Sequence, residues 1–412
     1  MTMNKINRCR MCKNTNMVKF LDLGFSPPSD NFLTEEQLNC QEIHYPLNVY
    51  ICNDCGLFQL GYIVPRALMF NENYPYESSM TKTGREHFVS MGIEICKKFN
   101  LPPNSLVVDV GSNVGVLLSG FRSQGLRVLG IEPSSNIAKI AVKNGIDTIT
   151  EFFSMDLALK IRQQTGNASV ITATNVFAHI DDLNDFVKAA DILLTEEGII
   201  VIEAPYLVNM LDNLEYDTIY HEHLSYLSLK PMVKFFKMFD MEVFDAEMQS
   251  IHGGSLRYFI GRAGKRKVSE NISKFLLLEE KHAIYSYERL KKFARQVENH
   301  RNELKTLLID LKRQGKRIVG ISAPAKGNTL LNYCKIGPEI LDYITERSLL
   351  KIGKYTPGMH IPVYSDEMLL KGKPDYALIL AWNFSEDIIR NNQQYRNNGG
   401  KFIIPIPHPQ II

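Results

Sequence analysis

Residues 106–115 read LVVDVGSNVG, a short apolar run that ends in a turn carrying two glycines, and VLLSGF, residues 116–121, follows with helical spacing. An apolar run of this length closed by glycine predicts a buried strand. Strand, glycine turn and helix in succession let backbone amides and the helix dipole come close to a ligand at the end of a parallel sheet. The next apolar run, residues 126–131, ends in Glu132, roughly 20 residues beyond Gly111, where an acid suits the two hydroxyls of a ribose. Residues 170–173 predict a fourth strand leading to Asn175 and His179, and GIIVIE, residues 198–203, a fifth. MEVFDAEMQ and SLRYFIGR alternate β-formers on either side of His252-Gly253-Gly254, which predicts an antiparallel hairpin. An α/β domain over residues 71–265 follows, with its ligand at the carboxyl ends of the strands.

Toward the N-terminus, Cys9 and Cys12 form one CxxC pair, and Cys52 and Cys55 another. Two such pairs suit a tetrahedral four-thiolate zinc site, because each two-residue spacer lets the backbone turn around the ion. Cys40 and His44 lie between the pairs as competing ligands, and Gly56 suits the turn after Cys55. A site closed by four thiolates has no vacant position, so residues 1–70 are expected to be a module with structural zinc. DNA binding is the rival reading. It is weakened because the segment has no basic helix and carries LDLGFSPPSDNF, read as a loop. In NYPYESS, residues 73–79, Tyr74 and Tyr76 either form a surface turn or reach a nearby site.

Toward the C-terminus, residues 270–313 hold no proline or glycine and carry apolar residues at helical spacing, which predicts amphipathic linking helices. RIVGIS, residues 317–322, then leads into APAKGN and the helical TLLNY, a second strand-turn-helix. Lys326 and the amides of Gly327 and Asn328 suit phosphate there. Residues 341–345, 361–364 and 376–381 supply further strands, so residues 266–412 read as a second, smaller Rossmann-like α/β domain. It lacks GxGxxG, which favours a phosphate-bearing substrate over a nicotinamide cofactor.

A chain of 412 residues allows two or three domains, and 45% hydrophobic residues fit a globular protein. Forty-seven basic residues against forty-five acidic ones leave a net charge of +2, which gives no footprint for nucleic acid or an anionic membrane. MTMNKINRCRMC lacks the apolar core of a signal peptide, and no run is long enough to span a bilayer, so a cytoplasmic location is the expectation. Seven cysteines in a reducing compartment argue for ligands over disulfides.

The densest group of titratable side chains is YDTIYHEHLSYLS, residues 216–228, where His221 and His223 flank Glu222 among Tyr216, Tyr220 and Tyr226. It offers a base, a group to tune it, and phenols for a developing oxyanion, which suggests proton abstraction beside a carbonyl. The histidine spacing is HxH, not HExxH, which argues against a zinc-activated water.

DVGSNVG resembles the DxGxxxG turn of class I S-adenosylmethionine methyltransferases, with Asn113 where many have glycine. The two CxxC pairs, VVDVGSNVG, NVFAHI, EYDTIYHEHLSYLS, IHGGSLR and SAPAKGNTLLNY together resemble the C-methyltransferases of nucleotide-linked keto-deoxysugars, over nearly the whole chain. The resemblance implies S-adenosylmethionine held by Asp109, Gly111, Asn113, Gly115, Glu132 and Asn175. It also implies a monomer that methylates C3 of a dTDP-linked 4-keto-6-deoxyhexose through an enolate. By the same resemblance His223 is the general base, with Glu222 tuning it and Tyr220 and His179 stabilising the enolate. Tyr74, Tyr76, His221, Lys326, Asn328, Arg347, Tyr355 and His360 are the implied substrate contacts. Spacing alone does not separate His221 from His223, since on a strand both would share one face. Methylation at C5 also lies beside the ketone. An O- or N-methyltransferase and a non-enzymatic zinc-anchored scaffold are the other readings.

Overall fold

The 106–110 run forms a strand because it is buried on both faces, as a central strand of a parallel sheet must be. The computed structural model describes residues 4–412. Met1, Thr2 and Met3, at the head of the stretch read for a targeting signal, lie outside the described residues, as does the side chain of His252 at the hairpin turn.

The strand sits in a seven-stranded sheet ordered Met241–Gln249, Ser255–Arg262, Leu194–Pro205, Ala168–Thr174, Leu106–Val110, Arg127–Ile131, Thr148–Ile149. The five strands from Leu194–Pro205 to Thr148–Ile149 are parallel, and the last two in sequence close the sheet as the antiparallel hairpin. Strand order reverses at Leu106–Val110. Connections leave such a strand to opposite faces, so a crevice opens beyond its carboxyl end.

The N-terminal sheet is ordered Ser225–Tyr226, Phe58–Leu60, Tyr45–Cys52, Met17–Ser26. Two expectations change here. LDLGFS belongs to the long Met17–Ser26 strand, so the loop starts only at Pro27, after an irregularity of register near Gly24. The edge strand Ser225–Tyr226 comes from the 216–228 stretch: Ser225 and Tyr226 pair with Gln59 and Phe58 of the cysteine-bearing module.

The C-terminal sheet is ordered Val363–Ser365, Ile344–Glu346, Ile318–Ile321, Tyr376–Ile379, Lys401–Ile404, Gln410–Ile411, parallel except for the last strand. Its order reverses at Ile318–Ile321, the strand before the second predicted turn. Helices Glu270–Lys281 and Tyr287–Arg313 join the two large sheets. The longer one buries Leu290, Phe293, Val297, His300, Leu304, Leu308 and Leu311, a stripe at the three- and four-residue spacing that the sequence predicts.

One continuous apolar core runs through all three sheets, and polar contacts fasten the first module to the last. Asn328 Nδ2 donates to the Ser29 carbonyl at 2.7 Å, and Thr329 and Ser29 share a hydroxyl contact at 3.2 Å. Leu33 bridges to Tyr355, and His360 pairs with Glu42 at 3.0 Å. Asn328, Tyr355 and His360, expected to hold substrate, thus meet the 27–42 loop of the first module. Buried backbone groups of the loop need partners, and the Asn328 side chain and the Tyr355 backbone supply two of them, while His360 meets the Glu42 carboxylate.

Replacing Asn328 by alanine leaves the buried Ser29 carbonyl without this donor. Stability should fall by about 1–3 kcal/mol, read as a lower denaturant midpoint at an unchanged m-value. A midpoint equal to wild type would mean that the contact contributes nothing.

Candidate active site

A cavity of about 870 Å³ lies beyond the carboxyl ends of the central strands, and all three modules line it. Its inner end is built by the glycine turn. Gly111 and Gly115 sit at φ +69° and +81°, and a Cβ would lie 2.3 Å from Val176 at the first and 2.7 Å from Ile146 at the second. Only glycine meets both demands. Asp109 is buried and accepts from Thr172 Oγ1 at 2.6 Å, and burial pushes its carboxyl up to about 7. Glu132 accepts the Asn113 and Ser134 amides at 3.1 and 2.8 Å, which fixes its carboxylate at the end of the second strand.

Asn113, in the place of a common glycine, has its own task. Its side chain accepts the Ser78 amide at 2.9 Å and donates to the Tyr76 carbonyl at 3.1 Å. It therefore draws residues 76–78 over the cavity. Both Tyr74 and Tyr76 line it. Asn175 Oδ1, Thr174 Oγ1 and Ser112 Oγ are buried there without hydrogen-bond partners. Orphaned polar atoms at a strand switch point fit a nucleoside-bearing cofactor such as S-adenosylmethionine.

The sulfurs of Cys9, Cys12, Cys52 and Cys55 lie within 4.8 Å of one another, with 3.5 Å between Cys9 and Cys55 and between Cys12 and Cys52. Sulfurs so spaced surround a point at about the zinc–thiolate bond length, so the four residues fit tetrahedral zinc. Cys40 is exposed outside the cluster, and His44 faces Glu42. Arg10, held between the first two cysteines, donates to the carbonyls of Leu60 and Leu224 at 3.0 and 3.1 Å. The metal knuckle thereby holds the 216–228 stretch.

Within that stretch the backbone turns at Tyr220, whose carbonyl accepts the His223 amide at 2.9 Å. The two histidines are therefore not on one strand face. His221 is buried edge-on against Tyr45 of the first module, at 5.9 Å between ring centres, and is not part of the cavity wall. His223 lines the cavity, stacked on His179 at 5.0 Å and beside Tyr220 at 4.0 Å. Its Nδ1 lies 2.7 Å from the Thr218 carbonyl. A carbonyl only accepts, so Nδ1 carries the proton and Nε2 is the basic nitrogen.

Burial lowers His179 to about 4, so the ring is neutral near pH 7. Burial, and then the charge of Glu222, pushes the Tyr220 phenol well up, which keeps it a donor. Glu222 accepts from Tyr74 Oη at 3.2 Å, and burial together with nearby Asp30 raises its carboxyl well above the ordinary range.

Lys326, at the start of helix Ala325–Cys334, lines the opposite wall over the Trp382 ring at 4.7 Å. Arg347 is instead an exposed partner of Asp366 at 2.8 Å, away from the cavity, because two surface charges pair more cheaply than one enters a buried wall. Among the wall residues that sequence reading missed are Asp30, Ser348 and Lys351. No motif marks them. They come from loops of the first and third modules, and only folding brings them beside Glu222.

The chain matches the description "C-methyltransferase C-terminal domain" over residues 250–407, "Methyltransferase domain" over 88–245 and "Putative zinc binding domain" over 9–70. It is 33% identical over 409 residues to C-methyltransferase NovU of Streptomyces niveus, covering 99% of this chain and 97% of that protein. Among solved structures, the magnesium protoporphyrin IX methyltransferase of Synechocystis with bound S-adenosylmethionine overlaps 43% of this chain and 79% of its own, at 16% identity and a TM-score of 0.34.

Stripping the metal with a strong chelator should release zinc in stoichiometric amount, measured by a colorimetric dye. It should also lower the melting temperature, since Arg10 and the edge strand lose their anchor. A chain that holds no zinc after purification in zinc-containing medium would refute the four-thiolate site. A second expectation concerns pH. Burial lowers His221 from 6.5 to about 4, so the unfolded chain takes up a proton that the folded chain refuses. Its contribution to stability is complete above pH 6.5 and is lost as pH falls toward 4. In His221→Phe, which keeps a ring against Tyr45, the drop in stability from pH 7 to 4.5 should shrink by on the order of 2 kcal/mol. Parallel pH curves for variant and wild type would contradict this.

Proposed function

The chain belongs to the zinc-containing, S-adenosylmethionine-dependent C-methyltransferases, and from that premise we propose that it methylates C3 of a dTDP-linked 4-keto-6-deoxyhexose through an enolate. The observation that carries this reading is the tautomer of His223. With the Nδ1 proton given to the Thr218 carbonyl, Nε2 is the basic nitrogen in a cavity that also holds neutral His179 and the Tyr220 phenol. A hydroxyl or amine acceptor needs no such pair of oxyanion donors. A carbon acid does.

The ketone at C4 acidifies the C3–H bond. His223 Nε2 takes that proton, and the C–H electron pair moves into the ring as an enolate whose negative charge rests on the C4 oxygen. Tyr220 and His179 donate hydrogen bonds to that oxygen, where they strengthen as its charge grows. S-adenosylmethionine, when bound, would supply the methyl group to that carbon, the sulfur–methyl electron pair staying on sulfur. Glu132 and the 111–115 turn hold the nucleoside of the cofactor, and Asn113, through residues 76–78, closes water out. Lys326, across the cavity, pairs with the substrate's phosphates, the one role among the expected C-terminal contacts that its position supports.

His223→Asn should lower kcat for methylation at least about 1,000-fold, in the range for loss of a general base. It should equally stop exchange of the substrate's α-proton with deuterated water, followed by NMR without cofactor. Exchange at the wild-type rate would remove His223 from the role of base.

A further inference from the structure

On the side of the cavity next to Glu222, three buried polar groups from two modules face the same space. Asp30 and Lys351 form an ion pair at 3.7 Å, with side chains only 8% and 7% exposed. The pair is longer than a hydrogen bond, and Asp30 Oδ1 has no hydrogen-bond partner. Neither has the Ser348 hydroxyl, which is 6% exposed and lines the same wall. The ammonium of Lys351 donates to the Ala323 carbonyl at 2.8 Å and lies 5.1 Å from the Phe32 ring centre, so it is fixed in place. Glu346, close by, is accounted for by the backbone amides of Ala323, Arg347 and Ser348.

Asp30 and Glu222 are two buried carboxyls, and Lys351 is one ammonium. Burial raises both carboxyls, with Lys351 opposing the rise. Buried acceptors without donors are costly. A folded protein keeps such groups where a ligand completes them. The completing group must donate, since a carboxylate at Asp30 only accepts.

We propose that Asp30, Ser348 and Lys351 form a specificity subsite that receives a hydroxyl or an amine carried by the sugar ring beside its ketone. The inference rests on the nucleotide-sugar reading above and goes beyond it by assigning residues that recognise a substituent. A hydroxyl would donate to Asp30 Oδ1 and pair with Ser348. An amine arriving as ammonium would do the same. Lys351, 3.7 Å away, opposes the rise that burial imposes on the Asp30 carboxyl.

The test uses full-length zinc-loaded enzyme, saturating S-adenosylmethionine and three dTDP-linked 4-keto-6-deoxyhexoses, bearing at C3 a hydroxyl, an amine or hydrogen alone. Wild type should prefer its better donor-bearing substrate over the 3-deoxy analogue by at least ~100-fold in kcat/KM, because unpaired buried groups penalise the analogue. The larger of the two donor-bearing values identifies the substituent. Asp30→Asn should reduce that preference at least tenfold, mainly through KM, and Ser348→Ala about threefold. If Asp30→Asn does not fold, the Ser348→Ala ratio decides. Equal losses on all three substrates, with the preference intact, would make these residues structural and overturn the subsite. Wild-type activity on all three without discrimination would also overturn the subsite and leave the methylation reading standing. No methylation and no α-proton exchange with any of the three would overturn both.

Discussion

An unpaired edge of the cysteine-bearing sheet organises this molecule. The Phe58–Leu60 strand offers backbone groups that must find partners, and residues 225–226 supply them. The segment that carries His223 is thereby stitched to the zinc module on one side. On the other, Tyr206 at the end of the methyltransferase sheet bridges Leu227. Arg10, set between two zinc thiolates, ties the same segment through the Leu224 carbonyl. A loop that would otherwise carry flexible histidines is held by two sheets. The four-cysteine knuckle thus helps to position this segment, by way of hydrogen bonds to its backbone.

Burial then sets the protonation of what the loop carries. His179 stays neutral, the Tyr220 phenol stays protonated, and the Glu222 carboxyl is raised. Each is driven mainly by desolvation, because the wall is apolar and three modules close around it. His223 differs in having a backbone carbonyl that fixes its tautomer. The cavity therefore holds several groups that burial keeps uncharged beside one histidine whose tautomer is fixed. Proton abstraction beside a ketone followed by stabilisation of an oxyanion asks for that division.

The same logic explains which expected contacts stand away from the cavity. Asn328, Tyr355 and His360 lie on the side of the C-terminal domain that meets the 27–42 loop, where they pair with the Ser29 carbonyl, the Leu33 backbone and the Glu42 carboxylate. Arg347 is drawn to Asp366 at the surface. Lys326 alone of that group reaches the cavity, because it follows directly on the strand at which the second sheet reverses.

The sequence by itself determined the local elements. Short apolar runs ending in glycine, the alternation around Gly253-Gly254 and the stripe of the long helix are periodic signals over a few residues, and each became the predicted element within small shifts of its ends. It also determined the four cysteines, since two-residue spacers already dictate a metal knuckle. Only the tertiary structure separated His221 from His223, because a turn at Tyr220, invisible to periodicity, sends their rings to different neighbours. Only the tertiary structure brought Asp30 and Lys351 to Glu222, from loops hundreds of residues apart along the chain. Such contacts follow from how three sheets share one core, a long-range property that no local spacing encodes.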